Sequence, residues 1–160
     1  MDTQRPGKPV SASRTEQAQI LMYDTLNGDK RLFGGRLMEW IDVGAAGVAR
    51  RHSGRAVPTA AVDTLTFTAP AFVDDTVILQ GYITHAGRTS MEICVKTFVE
   101  NLDGSRREIN RAYLVMVALD GNGKPTPVPA VIPETEEEKR EFEEALRRRE
   151  YREIRRREHF

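Results

Sequence analysis

The feature that most constrains this chain is one long apolar helix that begins at a glycine pair. Gly34-Gly35 precedes apolar residues that recur at helical spacing, and no proline interrupts the chain until Pro58. The recurring residues are Leu37, Met38, Ile41, Ala45, Val48 and Ala49. The stop signal Ser53-Gly54 then predicts a helix from Gly34 to about Arg51. The rest of the chain has to bury the apolar face of this helix.

The start of this helix is a candidate oxyanion site. The first N–H groups of a helix have no internal carbonyl acceptor and lie at the positive end of the helix dipole. Gly34 and Gly35 carry no side chains, so a substrate oxygen can come close to their N–H groups.

Asp42 is the candidate catalytic acid on the helix. It follows Met38 by four residues and precedes Ala45 by three, which places it close to the apolar face. Gly44 and Gly47 surround the next turn and indicate close approach by another backbone or by a ligand. The spacing alone favours neither a catalytic base nor an ordinary surface aspartate.

Composition narrows the classes of partner and chemistry. The 160 residues predict one domain, and 24 Lys and Arg residues balance 24 Asp and Glu residues, so no global charge attracts nucleic acid or a membrane. Cys94 is the only cysteine, which leaves no internal disulfide and no cysteine cluster for zinc. No phosphate loop, dinucleotide fingerprint or serine elbow is present, and no apolar run reaches the ~20 residues of a membrane span. We therefore expect a cytoplasmic protein with neither metal nor cofactor.

The remaining chain alternates between strand patterns and turns. One short edge strand is predicted at 19–23, at the end of the segment 15–23, and the uniformly apolar last strand should lie inside the sheet, covered on both faces. The predicted strands after the helix are 59–69, 76–84, 91–99 (half-buried) and 109–119. A proline-rich connector, 125–133, leads to a charged helix. We expect a flexible segment (1–14), one domain (15–133) and a helical tail (134–160).

The charged tail has its acids early and its arginines late, which matches the helix dipole. Its few apolar residues favour a solvated helix that lies over the sheet through Phe142, Leu146 and Ile154. A subunit contact is the next interpretation. RNA binding is the least favoured, because the neighbouring glutamates would oppose phosphate.

The loop and helix together resemble the hotdog-fold acyl-CoA thioesterases. The signature of that family is an asparagine, a Phe-Gly-Gly helix start and a helix aspartate, and Asn27, Phe33-Gly34-Gly35 and Asp42 match it here. The interval of 15 residues between Asn27 and Asp42 is also that of the family. The similarity extends through 63–67, 88–91 and 113–117, so it covers most of the chain.

The resemblance implies an α+β hotdog fold, in which an antiparallel sheet wraps around the long helix, and hydrolysis of acyl-CoA to a fatty acid and CoA. Asp42 would be the general base or the nucleophile, Asn27 would position water or the carbonyl, and the Gly35 amide, with that of Gly34, would polarise the carbonyl. The family arrangement also implies a homodimer or a trimer of dimers, with Asn27 and Asp42 meeting across a subunit interface. A monomer would then be inactive.

The same resemblance suggests which residues bind the substrate. Phe33 and Gly34 lie in the motif itself, and Arg88-Thr89-Ser90 suits contact with coenzyme A because hydroxyls and a guanidinium bind phosphates. Asp63 is a second carboxylate that could line the cleft, although a structural role is favoured for it. Two alternatives stay open: a non-enzymatic acyl-CoA sensor, and a hydroxyacyl-thioester dehydratase, which would need a histidine in the loop and helix motif.

Overall fold

The computed structural model describes residues 5–160, and two layers of helix enclose its main sheet. The elements in chain order are β1 (Gly7–Pro9), β2 (Thr15–Ile20), α1 (Gly34–Ser53), β3 (Thr59–Phe67), β4 (Thr76–Ala86), β5 (Ser90–Glu100), β6 (Arg106–Val117), β7 (Ala130–Ile132) and α2 (Glu136–Glu158). Single turns of 3-10 helix lie at Val10–Ala12 and Tyr23–Thr25. The main sheet has the order β2-β4-β5-β6-β3, and each neighbouring pair is antiparallel. The predicted α+β hotdog architecture is confirmed.

Helix α1 lies against the sheet and ends where the sequence predicts. Its buried face consists of Leu37, Ile41, Ala45, Val48, Ala49 and His52. Gly54 adopts a left-handed φ of 67° and donates its N–H to the Arg50 carbonyl at 2.7 Å, which closes the helix. A Cβ atom on Gly81 of β4 would lie only 2.9 Å from Val48 and 3.6 Å from the Gly44 carbonyl. The small residues of α1 therefore allow close packing against β4.

Helix α2 covers the second face of the sheet, and this corrects the expectation for β5. The alternation in 91–99 predicts one wet face, but Glu92 and Cys94 are as buried as Ile93 and Val95. Strand β6 is an interior strand with a mostly buried run from Ile109 to Met116, as its uniform apolar character predicts.

The contact surface of α2 differs from the predicted one. The capping box of Thr135 and Glu138 starts the helix at the expected position. However, Leu146 is 44% exposed, and the residues buried on α2 are Glu141 and Ala145, with Phe142 packed against the core. A stripe of arginines further along the helix supplies the remaining contacts through ion pairs.

The segment before the domain is structured where it is described, which corrects the expectation of a flexible 1–14. β1 pairs in parallel with β7, which lies within the proline-rich connector, and Val10 and Ser13 are buried. Residues 1–4 lie outside the described part. Within residues 5–160, neither helix combines the length and apolar character that a bilayer crossing requires.

Candidate active site

The start of α1 presents free N–H groups next to aromatic rings. Phe33 is the N-cap residue and gives no side-chain cap, and the first helix-type bonds run from Arg36 and Leu37 to the Phe33 carbonyl. Among the described residues, no acceptor is found for the Gly34 or the Gly35 N–H. A Cβ atom on Gly35 would lie 2.7 Å from the Phe33 ring, so the ring occupies the space beside the helix start. The helix start can therefore donate to an incoming oxygen.

Asn27 shapes the loop that precedes this helix. Its Oδ1 accepts from the Asp29 N–H at 2.9 Å and from the Arg31 N–H at 3.2 Å, and Lys30 takes a left-handed φ of 60° between them. These bonds use the side-chain oxygen, so the Nδ2 donor is the group that Asn27 can offer to a ligand.

A largely apolar cavity of about 340 Å³ opens beside Asn27. It lies between the loop and the end of β3, and its lining includes Asn27, Leu32, Leu37, Phe67, Ala69 and Ile109. Phe67 also faces the helix start, because a Cβ atom on Gly34 would lie 3.5 Å from its ring. Asn27, the free N–H groups of the helix start and this cavity therefore lie side by side and form a first group of candidate site residues.

Asp42 forms a second group with the beginning of β3. The Thr59 hydroxyl donates to Asp42 Oδ1 at 2.5 Å, which fixes the orientation of a carboxylate that is exposed in the single chain. Sequence reasoning missed Thr59, and its only signal was the threonine-rich character of the strand. The expected position of Asp42 beside the apolar face, rather than within it, agrees with the buried neighbours Ile41 and Ala45.

Strand β3 separates the two groups within one chain. Thr59 and Phe67 are the two ends of this nine-residue strand, whereas Gly35 and Asp42 on α1 are seven residues apart, or about 10 Å along the helix axis. No hydrogen bond joins Asn27 to Asp42 in the described part of the chain.

Asp63 does not join the Asp42 group. Its carboxylate is 3% exposed and bonds to Arg152 Nη1 at 2.9 Å and to Arg155, both on α2. The structure therefore gives Asp63 an ion-pairing role on the opposite face of the sheet from α1, which is the structural alternative considered above. Its predicted contact with substrate has no geometric support here.

The turn Arg88-Thr89-Ser90 joins β4 to β5 and is held by its backbone. The Arg88 carbonyl accepts from Val128 N–H at 2.9 Å, and the Thr89 carbonyl accepts from Ala118 N–H at 3.0 Å. The Arg88 side chain is exposed, whereas Ser90 lines a cavity of about 240 Å³ beneath α2. The turn thus lies on the α2 side of the sheet. Across residues 5–160, no group of three or more His, Cys, Asp or Glu side chains is arranged to hold a metal ion.

Comparison with known proteins assigns the family. Residues 30–103 match the model of the Thioesterase superfamily. The chain is 44% identical over 135 residues to the uncharacterized acyl-CoA thioester hydrolase YkhA of Bacillus subtilis, an alignment that covers 84% of this chain and 75% of that protein. The chain belongs to the acyl-CoA thioester hydrolase family. It is therefore an enzyme of the thioester hydrolase class. Membership of this family argues against the two alternatives, an acyl-CoA sensor and a dehydratase.

Solved structures of this family share the fold over nearly the whole chain. A hexameric acyl-CoA thioesterase in its apo form is 43% identical, with a TM-score of 0.91 and coverage of 94% of this chain and 97% of that one. The acyl-CoA hydrolase of Staphylococcus aureus in complex with butyryl-CoA, CoA and CoA disulfide is 34% identical, with a TM-score of 0.92 and coverage of 96% and 94%. Structures of the Staphylococcus aureus enzyme also exist with alanine in place of one aspartate, one asparagine and one threonine.

Proposed function

We propose that this acyl-CoA hydrolase builds its active site from two copies of the chain, with Asp42 from one copy and Asn27 from the other. The observation that carries the proposal is the separation of the two residue groups to opposite ends of β3. Each group is incomplete alone, because one has the acid and the other has the oxyanion donors and the apolar cavity.

The unpaired edge of β3 offers a surface through which two copies of the chain can pair and bring Asn27 of one copy close to Asp42 of the other. Among residues 5–160, β3 pairs only with β6, and its residues Val62 and Phe67 are 45% and 52% exposed. A long edge strand with exposed apolar side chains is a template for pairing with another chain. If two copies pair antiparallel about the middle of β3, near Asp63, Thr59 of each copy comes beside Phe67 of the other. The two-fold axis then creates two identical composite sites.

The Staphylococcus aureus variants support the assignment of Asn27, Asp42 and Thr59 to the active site. The asparagine, aspartate and threonine replaced in that enzyme are spaced by 15 and 17 residues. Asn27, Asp42 and Thr59 have the same two intervals in this chain. We infer that Thr59 orients the catalytic carboxylate.

The chemistry follows from these positions. Asp42 takes a proton from water as the water oxygen attacks the thioester carbonyl carbon, and Asn27 Nδ2 orients the water or the carbonyl. The Gly34 and Gly35 N–H groups bind the developing oxyanion, a contribution of roughly 3–4 kcal/mol for a good donor. The C–S bond then breaks, and the CoA thiolate recovers the proton from Asp42. Direct attack by Asp42 would instead expel the CoA thiolate and form an anhydride, and hydrolysis of that anhydride at the Asp42 carbonyl carbon would transfer ¹⁸O from labelled water into the Asp42 side chain.

The cavity beside Asn27 is the proposed site of the acyl chain. Its lining is mostly apolar, and Asn27 lies at the same cavity. Two such cavities would serve one dimer. The hexameric state of the related thioesterase supports further assembly into a trimer of dimers. No cofactor is required by this chemistry.

The test is a thiol-release assay with a panel of acyl-CoA substrates. Asp42→Asn should lose at least about 100-fold in kcat while the protein stays folded, which is the scale of general-base catalysis. Glu39→Gln is the matched control, because Glu39 is an exposed acid on the same helix. Near-normal turnover of Asp42→Asn would contradict the assignment.

A further inference from the structure

The apolar cavity beside Asn27 has one charged residue in its lining. Among residues 5–160, Arg31 is the single ionisable residue that lines it, and its polar neighbours there are Asn27 and Thr68. The other lining residues are apolar, and none carries a carboxylate. A ligand that enters this cavity therefore meets positive charge but no negative charge.

The backbone holds Arg31 at the cavity. Arg31 forms a β-bridge with Phe72, and the next residue, Leu32, donates its N–H to the Ala71 carbonyl at 2.8 Å. The Arg31 Cζ atom lies 6.0 Å from the centre of the Phe72 ring, which is the range of a cation–π contact. Within residues 5–160, no carboxylate lies within 4.0 Å of the Arg31 guanidinium. Its N–H donors can therefore serve a ligand.

A second guanidinium adds positive charge at the same rim. Arg107 Nη2 donates to the carbonyl of Pro70, which lines the cavity, at 3.2 Å. Arg107 also has no carboxylate within 4.0 Å in the described part of the chain. The acids of the adjoining loops are Asp29 and Asp75, and Asp75 already accepts a backbone N–H at 2.8 Å. The rim of the cavity therefore favours an anionic group.

The distance from Arg31 to the helix start limits the length of a ligand that reaches both. Three residues of extended chain span at most about 10 Å, so the Arg31 backbone lies within that distance of Gly34. A thioester carbonyl at the Gly34 N–H and an anionic group at Arg31 can therefore belong to one short acyl chain. The methylenes between them would contact the apolar lining, which includes Leu37, Phe67 and Ile109.

We propose that this cavity selects acyl groups that end in a carboxylate, which are the CoA monothioesters of dicarboxylic acids, and that Arg31 recognises the terminal carboxylate. A guanidinium can bind a carboxylate through two parallel N–H···O bonds. Without such a partner, a carboxylate in an apolar cavity loses its hydration uncompensated. This inference rests on the proposed acyl-CoA hydrolase site and names the class of its substrate. Hydrolysis then releases a dicarboxylic acid and CoA.

The test compares adipyl-CoA with hexanoyl-CoA, whose acyl group has the same number of carbons but ends in a methyl group. The parent protein should favour adipyl-CoA about tenfold in kcat/KM, and Arg31→Gln should remove most of this preference. Arg31→Lys should keep part of it, because the charge stays but the two-pronged geometry is lost. Higher ionic strength should lower the preference, since Arg31 is exposed in the single chain.

Two controls isolate the charge pair. Lys30→Gln removes the neighbouring cation of the same loop, which does not line the cavity, and should leave the ratio of the two kcat/KM values unchanged. The methyl ester of adipyl-CoA has no terminal charge and should be no better a substrate than hexanoyl-CoA. Equal kcat/KM for adipyl-CoA and hexanoyl-CoA, an unchanged ratio in Arg31→Gln, an equal loss in Lys30→Gln, or a methyl ester as good as adipyl-CoA would overturn the inference.

Binding measured without turnover separates this inference from the proposed function. In the Asp42→Asn background, adipyl-CoA should bind about tenfold more tightly than hexanoyl-CoA in a calorimetric titration, and adding Arg31→Gln should abolish the difference. Hydrolysis of both esters with no difference in binding would overturn the inference and leave the hydrolase site intact. Absence of hydrolysis of every ester by the parent protein, with the binding preference present, would count against the proposed function and would support the carboxylate selectivity of the cavity.

Discussion

The attachment of α2 to the sheet depends on one buried carboxylate. Glu92 is 1% exposed and accepts from Arg148 Nη2 at 2.8 Å, from Arg152 Nη1 at 2.8 Å and from the Thr84 hydroxyl at 2.7 Å. Substitution of Glu92 by glutamine keeps the shape of the side chain but removes its charge. Arg152 would retain Asp63, whereas Arg148 would retain only Glu141 at 4.0 Å.

The cost of Glu92→Gln follows from this geometry. Removal of one partner from a buried ion pair costs about 3–5 kcal/mol, because the remaining charge stays desolvated. Since Arg152 keeps a partner, we expect the lower end, about 3 kcal/mol, and this free energy is lost from the docked state of α2. Amide protons in the middle of α2 should then exchange about 100-fold faster, because each 1.4 kcal/mol is a factor of ten.

Hydrogen exchange measured by mass spectrometry on α2 peptides tests this prediction. Glu143→Gln is the control, because Glu143 is an exposed acid on the same helix. If the two variants exchange at the same rate, the ion pairs do not hold the helix, and the apolar contacts of Phe142 and Ala145 are sufficient.

Two further predictions concern the core and the acyl cavity. Burial lowers the pKa of His52, whose Nε2 lies 2.8 Å from the Pro129 carbonyl and whose buried Nδ1 has no partner in the described chain. The unfolded chain therefore binds a proton at His52 more readily, so the free energy of unfolding in urea should decrease as the pH falls below about 6.5. The His52→Gln variant should show a smaller decrease. Ala69→Leu should fill part of the acyl cavity and lower kcat/KM for long acyl-CoA esters roughly tenfold relative to butyryl-CoA, since each buried methylene contributes about 0.8 kcal/mol. Equal losses for short and long esters would show that the cavity does not hold the acyl chain.

Local patterns were sufficient to predict the elements that carry the chemistry. The bounds of α1 follow from its apolar spacing and from Gly54, and the charged tail helix follows from the acids gathered at its start and the arginines gathered at its end. In each case the signal lies within a few residues of the feature. Gly34-Gly35 and Asp42 were predicted from the helix pattern in the same way, whereas Asn27 was assigned through the family resemblance.

The contacts that the sequence did not reveal join distant positions. Glu92 meets Arg148 across 56 residues, and β1 meets β7 across more than a hundred, so neither leaves a periodic signal. Because Glu92 alternates with apolar residues, the pattern predicts a side chain that faces solvent. In the structure α2 covers it. Asp63 was ambiguous for the same reason, because its arginine partners are on the tail.

The central claim, that Asn27 and Asp42 act across a subunit interface, is tested most directly by mixing two inactive variants. Asn27→Ala and Asp42→Asn protomers are refolded together in equal amounts, and thiol release is compared with each variant alone. In a mixed dimer, one of the two composite sites has both native residues, so random pairing should restore about a quarter of the parent activity. If the mixture stays as inactive as its components while size-exclusion and native mass spectrometry show mixed dimers, the two residues do not act across the interface.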